Sequence, residues 1–121
     1  LFGRGRDIIR RMSDWDCIIL PTVAQFPPQL DTFLAVTERA SDDDLAYIPF
    51  TYPFNISGQP ALSVPLGWSS SGLPIGVQFV GQPYGEALII ALAAEVERAA
   101  PWAAKYPAHP RGRSGSAAQA G

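Results

Sequence analysis

Few residues of this 121-residue chain have the types and spacing that nucleophilic catalysis requires. Such catalysis needs a nucleophile, a base within hydrogen-bonding reach of it, and donors for the developing oxyanion. The single histidine, His109, lies between Pro107 and Pro110 in a segment without periodicity, a poor platform for a serine-histidine-aspartate triad. The single lysine, Lys105, comes after the last apolar segment, where the desolvated pocket that a catalytic lysine needs is not expected. The sequence therefore assigns no catalytic residue to this chain.

The serines also lack a catalytic context. Ser69, Ser70 and Ser71 precede Gly72 between two apolar runs, a pattern that is typical of a turn. Ser63, like the other serines of this region, is not embedded in the G-x-S-x-G sequence of a nucleophile elbow.

Residue types that bind metals or cofactors are equally sparse. Cys17 is the only cysteine and lies in an apolar run, which favours a small buried thiol over a reactive one. Asp42, Asp43 and Asp44 follow Ser41, and this order favours a capped helix start over a metal site, because consecutive side chains on a helix point in different directions. No glycine-rich loop leads from a strand into a helix. We predict neither a metal nor a cofactor.

The composition fits one soluble globular domain, because the chain is 47% apolar and carries a net charge of −2. A pI near 5.2 gives no basic face for nucleic acid. No apolar run approaches the roughly 20 residues that span a bilayer, and the first residues do not resemble a signal peptide. We therefore predict a cytoplasmic protein without membrane association.

Several elements follow from periodicity. Apolar residues from Asp7 to Trp15 recur at helical spacing, and a weaker helical turn is expected over Thr32–Arg39. Cys17 to Leu20 is apolar on both sides, which predicts a covered strand and makes parallel pairing plausible. Glu86 to Ala100 predicts a helix that is apolar almost all round. Residues 107–121 lack periodicity and are expected to be disordered, which leaves residues 1–106 as the folded segment.

The clearest unit is a β-hairpin over residues 61–81, with strands Ala61–Trp68 and Leu73–Gly81. Alternation divides each strand into an apolar face and a face of small or polar residues. The apolar face comprises Leu62, Val64, Leu66, Ile75, Val77 and Phe79, and the other face comprises Ala61, Ser63, Gly76 and Gln78. Two such faces and an apolar helix cannot cover themselves within this length, so large apolar areas should stay open.

The segment Pro53–Gly81 resembles the carboxy-terminal core of the amidase signature family. Trp15–Thr22 and Glu86–Trp102 are similar to the family's buried strand and last long helix, so the resemblance covers roughly residues 4 to 106. The matching positions are Phe54, Asn55, Gly58, Pro60, Ala61, Ser63, Val64, Pro65, Gly72, Leu73, Pro74, Gly76, Gln78 and Gly81.

The resemblance implies an α/β fold, with a mixed sheet that contains the hairpin and is covered by helices. It implies a parent enzyme that hydrolyses small-molecule carboxamides with a Ser-cisSer-Lys triad carried before this segment, so that the chain alone is inactive. Phe50, Tyr52, Phe54 and Asn55 are the candidates for a substrate-pocket wall, although ordinary core packing also accounts for these aromatic residues.

Two other interpretations stay open. One is the amidase subunit of the transfer-RNA amidotransferase, whose corresponding segments resemble GPTTP and IPVNLAGLPA. This chain has LPTVA and YPFNISGQPA at those places, which favours a simple amidase. A non-enzymatic interaction module could also use this scaffold. In either case, the open apolar areas predict a homo-oligomer or association with a preceding portion of the same enzyme.

Overall fold

A computed structural model describes residues 2–27 and 48–105 of the chain. The predicted helical turn over Thr32–Arg39, the predicted cap at Ser41 with its three aspartates, and the predicted tail 107–121 lie outside the described residues. In chain order the elements are α1 (Phe2–Arg11), β1 (Cys17–Pro21), α2 (Tyr52–Ser57), β2 (Ala61–Trp68), β3 (Pro74–Gly81) and α3 (Glu86–Ala99).

The three described strands form one antiparallel sheet in the order β1-β3-β2. Cys17 pairs with Gly81 and Pro21 with Val77, while Ala61 pairs with Val80 on the other side of β3. The α/β class and the hairpin are confirmed. The expected parallel pairing of the Cys17 strand is wrong, and the described part of the sheet contains no parallel pair. The expected full cover of this strand is also wrong in the described residues, because Ile19 is 60% exposed. An apolar run does not encode strand direction.

The hairpin turn confirms the assignment of the serine run to turn chemistry. The amide of Ser69 donates to the carbonyl of Leu73 at 2.8 Å, and the amide of Leu73 donates to the Ser69 hydroxyl at 3.0 Å. Gly72 adopts a φ of 82°, a conformation that glycine accepts without steric cost. These bonds use the Ser69 hydroxyl to close the hairpin.

One face of the sheet, which we call the α3 face, is covered by the long helix. Its buried core is Val64, Phe79 and Ile89. Partly buried apolar side chains that pack against this core include Cys17, Leu62, Leu66, Val77, Leu92, Ala93 and Val96. Leu88 is 48% exposed, because α3 turns its Ile89 side to the sheet and successive helical residues lie about 100° apart.

The opposite face, which we call the groove face, is covered by α1 and α2. Met12, Phe54 and Val80 form its buried core. α1 ends at Arg11 rather than at Trp15, and Trp15 is 63% exposed. The Gln82 side chain donates to the carbonyls of Met12 at 2.5 Å and Trp15 at 2.6 Å. The amide of Trp15 also donates to the Met12 carbonyl at 3.0 Å, so the bend after α1 is held both locally and across the fold.

Large apolar side chains stay exposed in the described residues, as the sequence predicts. They are Trp15, Ile19, Phe26, Tyr52, Leu73, Ile75, Tyr84, Leu88 and Ile90. Among the described residues, no helix has the length and apolar content needed to cross a membrane. Ile19 and Ile75 are the members of this set that lie in described strands, and the others lie in α2, α3 and the connecting segments.

Candidate functional site

A groove of about 340 Å³ opens on the groove face, where α2 meets β2 and β3. It is lined by side chains from four separate stretches of the chain. The lining residues are Thr22, Thr51, Phe54, Asn55, Gln59, Ala61, Leu62, Ser63 and Gln78. None of them is an acid, a base or a histidine, so the described lining is uncharged and combines hydroxyl and carboxamide groups with the apolar Phe54, Ala61 and Leu62.

Two hydroxyl groups meet on this face of the sheet. The Oγ1 of Thr22, just after β1, lies 2.5 Å from the Oγ of Ser63 in β2. They meet above Gly76 of β3, where an added Cβ would lie 2.8 Å from the Thr22 hydroxyl and 2.9 Å from that of Ser63. The amide of Thr22 also donates to the Gly76 carbonyl at 3.0 Å. Gly76 therefore provides the space in which the two hydroxyls reach each other across the central strand.

Gln78 joins the sheet to the segment that precedes α2. It is directly opposite Ser63 in the register and is only 4% exposed. Its Nε2 donates to the Phe50 carbonyl at 2.9 Å. A buried amide needs such a partner, and this bond fixes the position of Phe50 relative to the groove.

Gln59 is a second buried amide, between α2 and β2. Its Nε2 donates to the Gly81 carbonyl at 2.9 Å and lies 3.4 Å from the sulfur of Met12. Its Oε1 has no hydrogen-bond partner among the described residues. The Gly81 bond ties the start of the hairpin to its end, so Gln59 holds the rim of the groove in place.

The four predicted wall residues do not all reach the groove. Phe54 and Asn55 line it, Phe54 as a buried core residue at 7% exposure and Asn55 as an exposed one. Tyr52 is 43% exposed and is not part of the lining. Phe50 enters only through the backbone carbonyl that Gln78 binds.

The polar members Thr22, Ser63 and Gln78 were not predicted as site residues. The strand alternation puts Ser63 and Gln78 on one face, which is a usable signal. Thr22 has no local signal, because it reaches Ser63 across 41 residues of sequence.

The chemistry of this lining is binding rather than bond-breaking. Hydroxyl and carboxamide groups donate and accept hydrogen bonds and suit a neutral polar group, such as an amide. The lining contains no base beside either hydroxyl, so it has no activated nucleophile. Within the described ranges, no three or more histidine, cysteine, aspartate or glutamate side chains cluster as a metal site would require.

Comparison with known proteins finds similar proteins that are described as amidases or hydrolases. The family model described as Amidase matches residues 5–90. The 6-aminohexanoate-cyclic-dimer hydrolase of Paenarthrobacter ureafaciens is 43% identical over 103 residues, which is 78% of this chain and 21% of that protein. A putative amidase, AmiA2, of Mycobacterium tuberculosis (strain ATCC 25618 / H37Rv) is 42% identical over 93 residues, 76% of this chain and 19% of that protein.

Solved structures agree. The 6-aminohexanoate cyclic dimer hydrolase complexed with substrate matches with a TM-score of 0.73 at 37% identity and covers 81% of this chain and 22% of its own. A component of the glutamyl-tRNA(Gln) amidotransferase from Thermotoga maritima matches with a TM-score of 0.58 at 29% identity, over 81% of this chain and 20% of its own. The chain thus spans about a fifth of the length of these relatives and aligns with their carboxy-terminal portion, which does not include the catalytic triad.

Proposed function

Because the chain belongs to the amidase family, we propose that it is the carboxy-terminal portion of an enzyme that hydrolyses small-molecule carboxamides. The products are a carboxylate and ammonia or an amine. This portion supplies scaffold and one wall of the substrate site. The observation that carries the assignment is the uncharged groove with its hydroxyl and carboxamide groups, which lies inside the matched residues and includes Phe54 and Asn55 in its lining.

The proposed enzyme divides the work between two portions. In the preceding portion, a lysine takes a proton from the bridging serine, which takes the proton of the nucleophilic serine. The nucleophile bonds to the amide carbon, the C–N bond breaks, and the amine leaves with a proton. Water then hydrolyses the acyl-enzyme. In this portion, Thr22, Ser63 and Asn55 offer hydrogen bonds to a neutral part of the substrate, while Phe54 gives the wall its apolar backing.

The substrate class follows from the lining. Burial of a charged group costs several kcal/mol unless it is paired, and the described lining offers no charge to pair with. We therefore expect neutral amides to be preferred over amides that carry a charge near the scissile bond. The similarity to a hydrolase of a cyclic amide dimer supports including cyclic amides in the class.

A simple amidase is favoured over a portion of an amidotransferase. The cyclic dimer hydrolase matches this chain with a TM-score of 0.73 and 37% identity, whereas the amidotransferase component matches with 0.58 and 29%. The motifs LPTVA and YPFNISGQPA point the same way.

The proposal is tested by the sequence of the portion that precedes this chain and by an assay of ammonia or amine release. The portion that precedes this chain should contain a lysine followed by a glycine-rich loop with two serines. The two portions together should release ammonia or amine from a panel of neutral primary, secondary and cyclic amides, whereas the 121-residue chain alone should release none. Activity of the chain alone that a single substitution within it abolishes would refute the division. A preceding portion without such a loop would favour the interaction module.

The exposed apolar side chains suggest a surface that associates with another chain or with another part of the enzyme. We propose that they are covered by the preceding portion of the enzyme or by a second copy of the chain. Analytical ultracentrifugation of the chain with and without that portion tests this. A compact monomer of the chain alone with no apolar patch above roughly 600 Å² would contradict it. A cytoplasmic location and the lack of nucleic-acid binding stay predictions.

A further inference from the structure

A second cleft, larger than the groove, lies beside the hairpin turn, between that turn and the residues that follow α3. Its volume is about 600 Å³. Its walls include Trp68, Trp102, Pro65, Pro74 and Glu97. Trp102 also packs against the core of the α3 face, which anchors one wall of the cleft. The cleft shares no lining residue with the groove and is separate from the proposed substrate site.

The described chain ends inside this cleft. Lys105 is one of its lining residues, and its Nζ lies 3.7 Å from the centre of the Trp68 ring, where an ammonium group is attracted to the aromatic face. The amide of Lys105 donates to the Trp102 carbonyl at 2.8 Å and closes a turn. The residues that come next therefore start from the aromatic cleft itself.

Those next residues have the composition of a polyproline II ligand. They read Tyr106, Pro107, Ala108, His109, Pro110 and Arg111, so the two prolines are in P-x-x-P register. The residue before a proline is restricted to extended conformations, which here applies to Tyr106 and His109. Polyproline II has three residues per turn, so Pro107 and Pro110 share one face, about 9 Å apart. Aromatic-lined grooves bind such segments because they are pre-ordered and lose little entropy.

We propose that the cleft binds residues 106–111 of this same chain in a polyproline II conformation, with the prolines against the two tryptophans. The charges of Glu97 and Arg111 also favour binding of this segment in the cleft. Glu97 forms no ion pair with any residue that the structure describes, and Arg111 is the first cation after Lys105. Attachment at Lys105 gives the segment an effective concentration in the millimolar range, so weak contacts suffice.

The experiment is nuclear magnetic resonance on the whole 121-residue chain. Ring protons of Pro107 and Pro110 should show nuclear Overhauser contacts to the Trp68 and Trp102 indoles. Backbone order parameters of Ala108 and His109 should exceed about 0.6, above those of residues 114–120. In the double variant Pro107→Ala, Pro110→Ala, the order parameters should fall to those of residues 114–120 and the new alanine methyl groups should show no contacts to the indoles. The control Ser114→Ala, Ser116→Ala should keep both the proline contacts and the order. Neither pair of substitutions touches the folded core.

A second variant tests the cleft side without removing a tryptophan. Glu97→Gln lies on an exposed part of α3 and should lower the order parameter of Arg111 while leaving the indole contacts in place. Order parameters for residues 106–111 equal to those of 114–120, or indole contacts that survive loss of both prolines, would overturn the proposal. Contacts that weaken on dilution would also overturn it, because they would identify a tail from a second copy.

Discussion

The two faces of the sheet are built from the same three strands, yet they are held together differently. On the α3 face, Phe79 is 1% exposed and lies in a cluster of apolar side chains, so the face is stabilised by apolar packing. On the groove face, an apolar core around Val80 gives way to Ser63, Gly76 and Gln78, whose contacts are hydrogen bonds. Alternation along a strand lets one sequence make both a rigid support and a binding surface.

The difference also separates stability from binding. Dispersion and the hydrophobic effect scale with buried apolar area and tolerate no cavity, whereas a hydrogen bond contributes little net free energy because water competes for it. We therefore expect substitutions on the α3 face to unfold the chain, and those on the groove face to change local order and ligand binding first.

The largest effect should come from Phe79→Ala. Removal of a fully buried phenylalanine should lower the free energy of unfolding by about 3–5 kcal/mol, through lost transfer energy and the cavity left behind. Urea unfolding followed by circular dichroism measures it. The control Ile75→Ala removes an apolar side chain from the same strand at a position that is 38% exposed, and it should cost much less. Equal losses for the two variants would show that the α3 face is not the main source of stability.

Gly76→Ala should have the next largest effect. The new methyl group would lie 2.8 Å from the Thr22 hydroxyl and 2.9 Å from the Ser63 hydroxyl, so the two must separate. Overpacking of this kind costs about 1–3 kcal/mol. Ser63→Ala removes one clashing atom, so the double variant should lose less than the two single losses combined, with a coupling of at least about 0.5 kcal/mol. Strict additivity would mean that the hydroxyl pair does not limit the space above Gly76.

Gln78→Met keeps the side-chain volume and removes the bond to the Phe50 carbonyl. The free energy of unfolding should fall by about 0.5–1.5 kcal/mol, the usual net value of one hydrogen bond. Faster hydrogen exchange at the amides of Thr51 and Tyr52 should accompany the loss. Gln25→Met, at an exposed position, is the matched control. Unchanged exchange in Gln78→Met would show that another contact fixes this segment.

The smallest effect concerns Cys17 on the α3 face. Desolvation by burial raises the pKa of its thiol above the ordinary value of 9.0, and a backbone hydrogen bond from Val80 opposes the shift only in part. The unfolded chain therefore loses this proton at lower pH than the folded chain does. The stability that the neutral thiol contributes is complete below about pH 9 and declines as pH rises above it.

Melting temperatures of the native chain and of Cys17→Ala, measured from about pH 7 to about pH 11, test this sign. The difference between the two proteins should be constant at the acidic end and shrink at the basic end. A thiol reagent should also modify Cys17 more slowly in the folded chain than in urea. Parallel pH curves would mean that the thiol titrates alike in both states.

Local patterns in the sequence predict the hairpin, its serine turn and the position of α3. Leu62, Val64 and Phe79 follow the alternation of a two-sided strand, and this pattern needs no tertiary information. The direction of β1 and the end of α1 depend on partners far along the chain, such as the Gln82 side chain that binds Trp15. The local periodicity of the sequence does not indicate these distant partners.

The groove was predicted only in part, for the same reason. Phe54 and Asn55 come from a recognisable motif and do line it. Thr22 joins them only because β1 and β2 flank the same central strand, which puts its hydroxyl beside that of Ser63. The resemblance to amidases supplied the fold, and the strand order supplied the polar side chains.

The strand order also governs when the sheet can form. β1 and β2 pair only with β3 among the described strands, so β1 has no partner until β3 has been synthesised. The hydrogen bond from Gln82, just after β3, to Trp15, just before β1, joins residues 67 positions apart. Chains are made at about 5–20 residues per second, so an apolar strand waits unpaired for seconds in the nascent protein. Asp14 and Asp16 precede this strand and Pro21 ends it, residue types that discourage edge-to-edge aggregation. We expect their replacement to reduce the soluble yield during synthesis far more than it changes the stability of the folded chain.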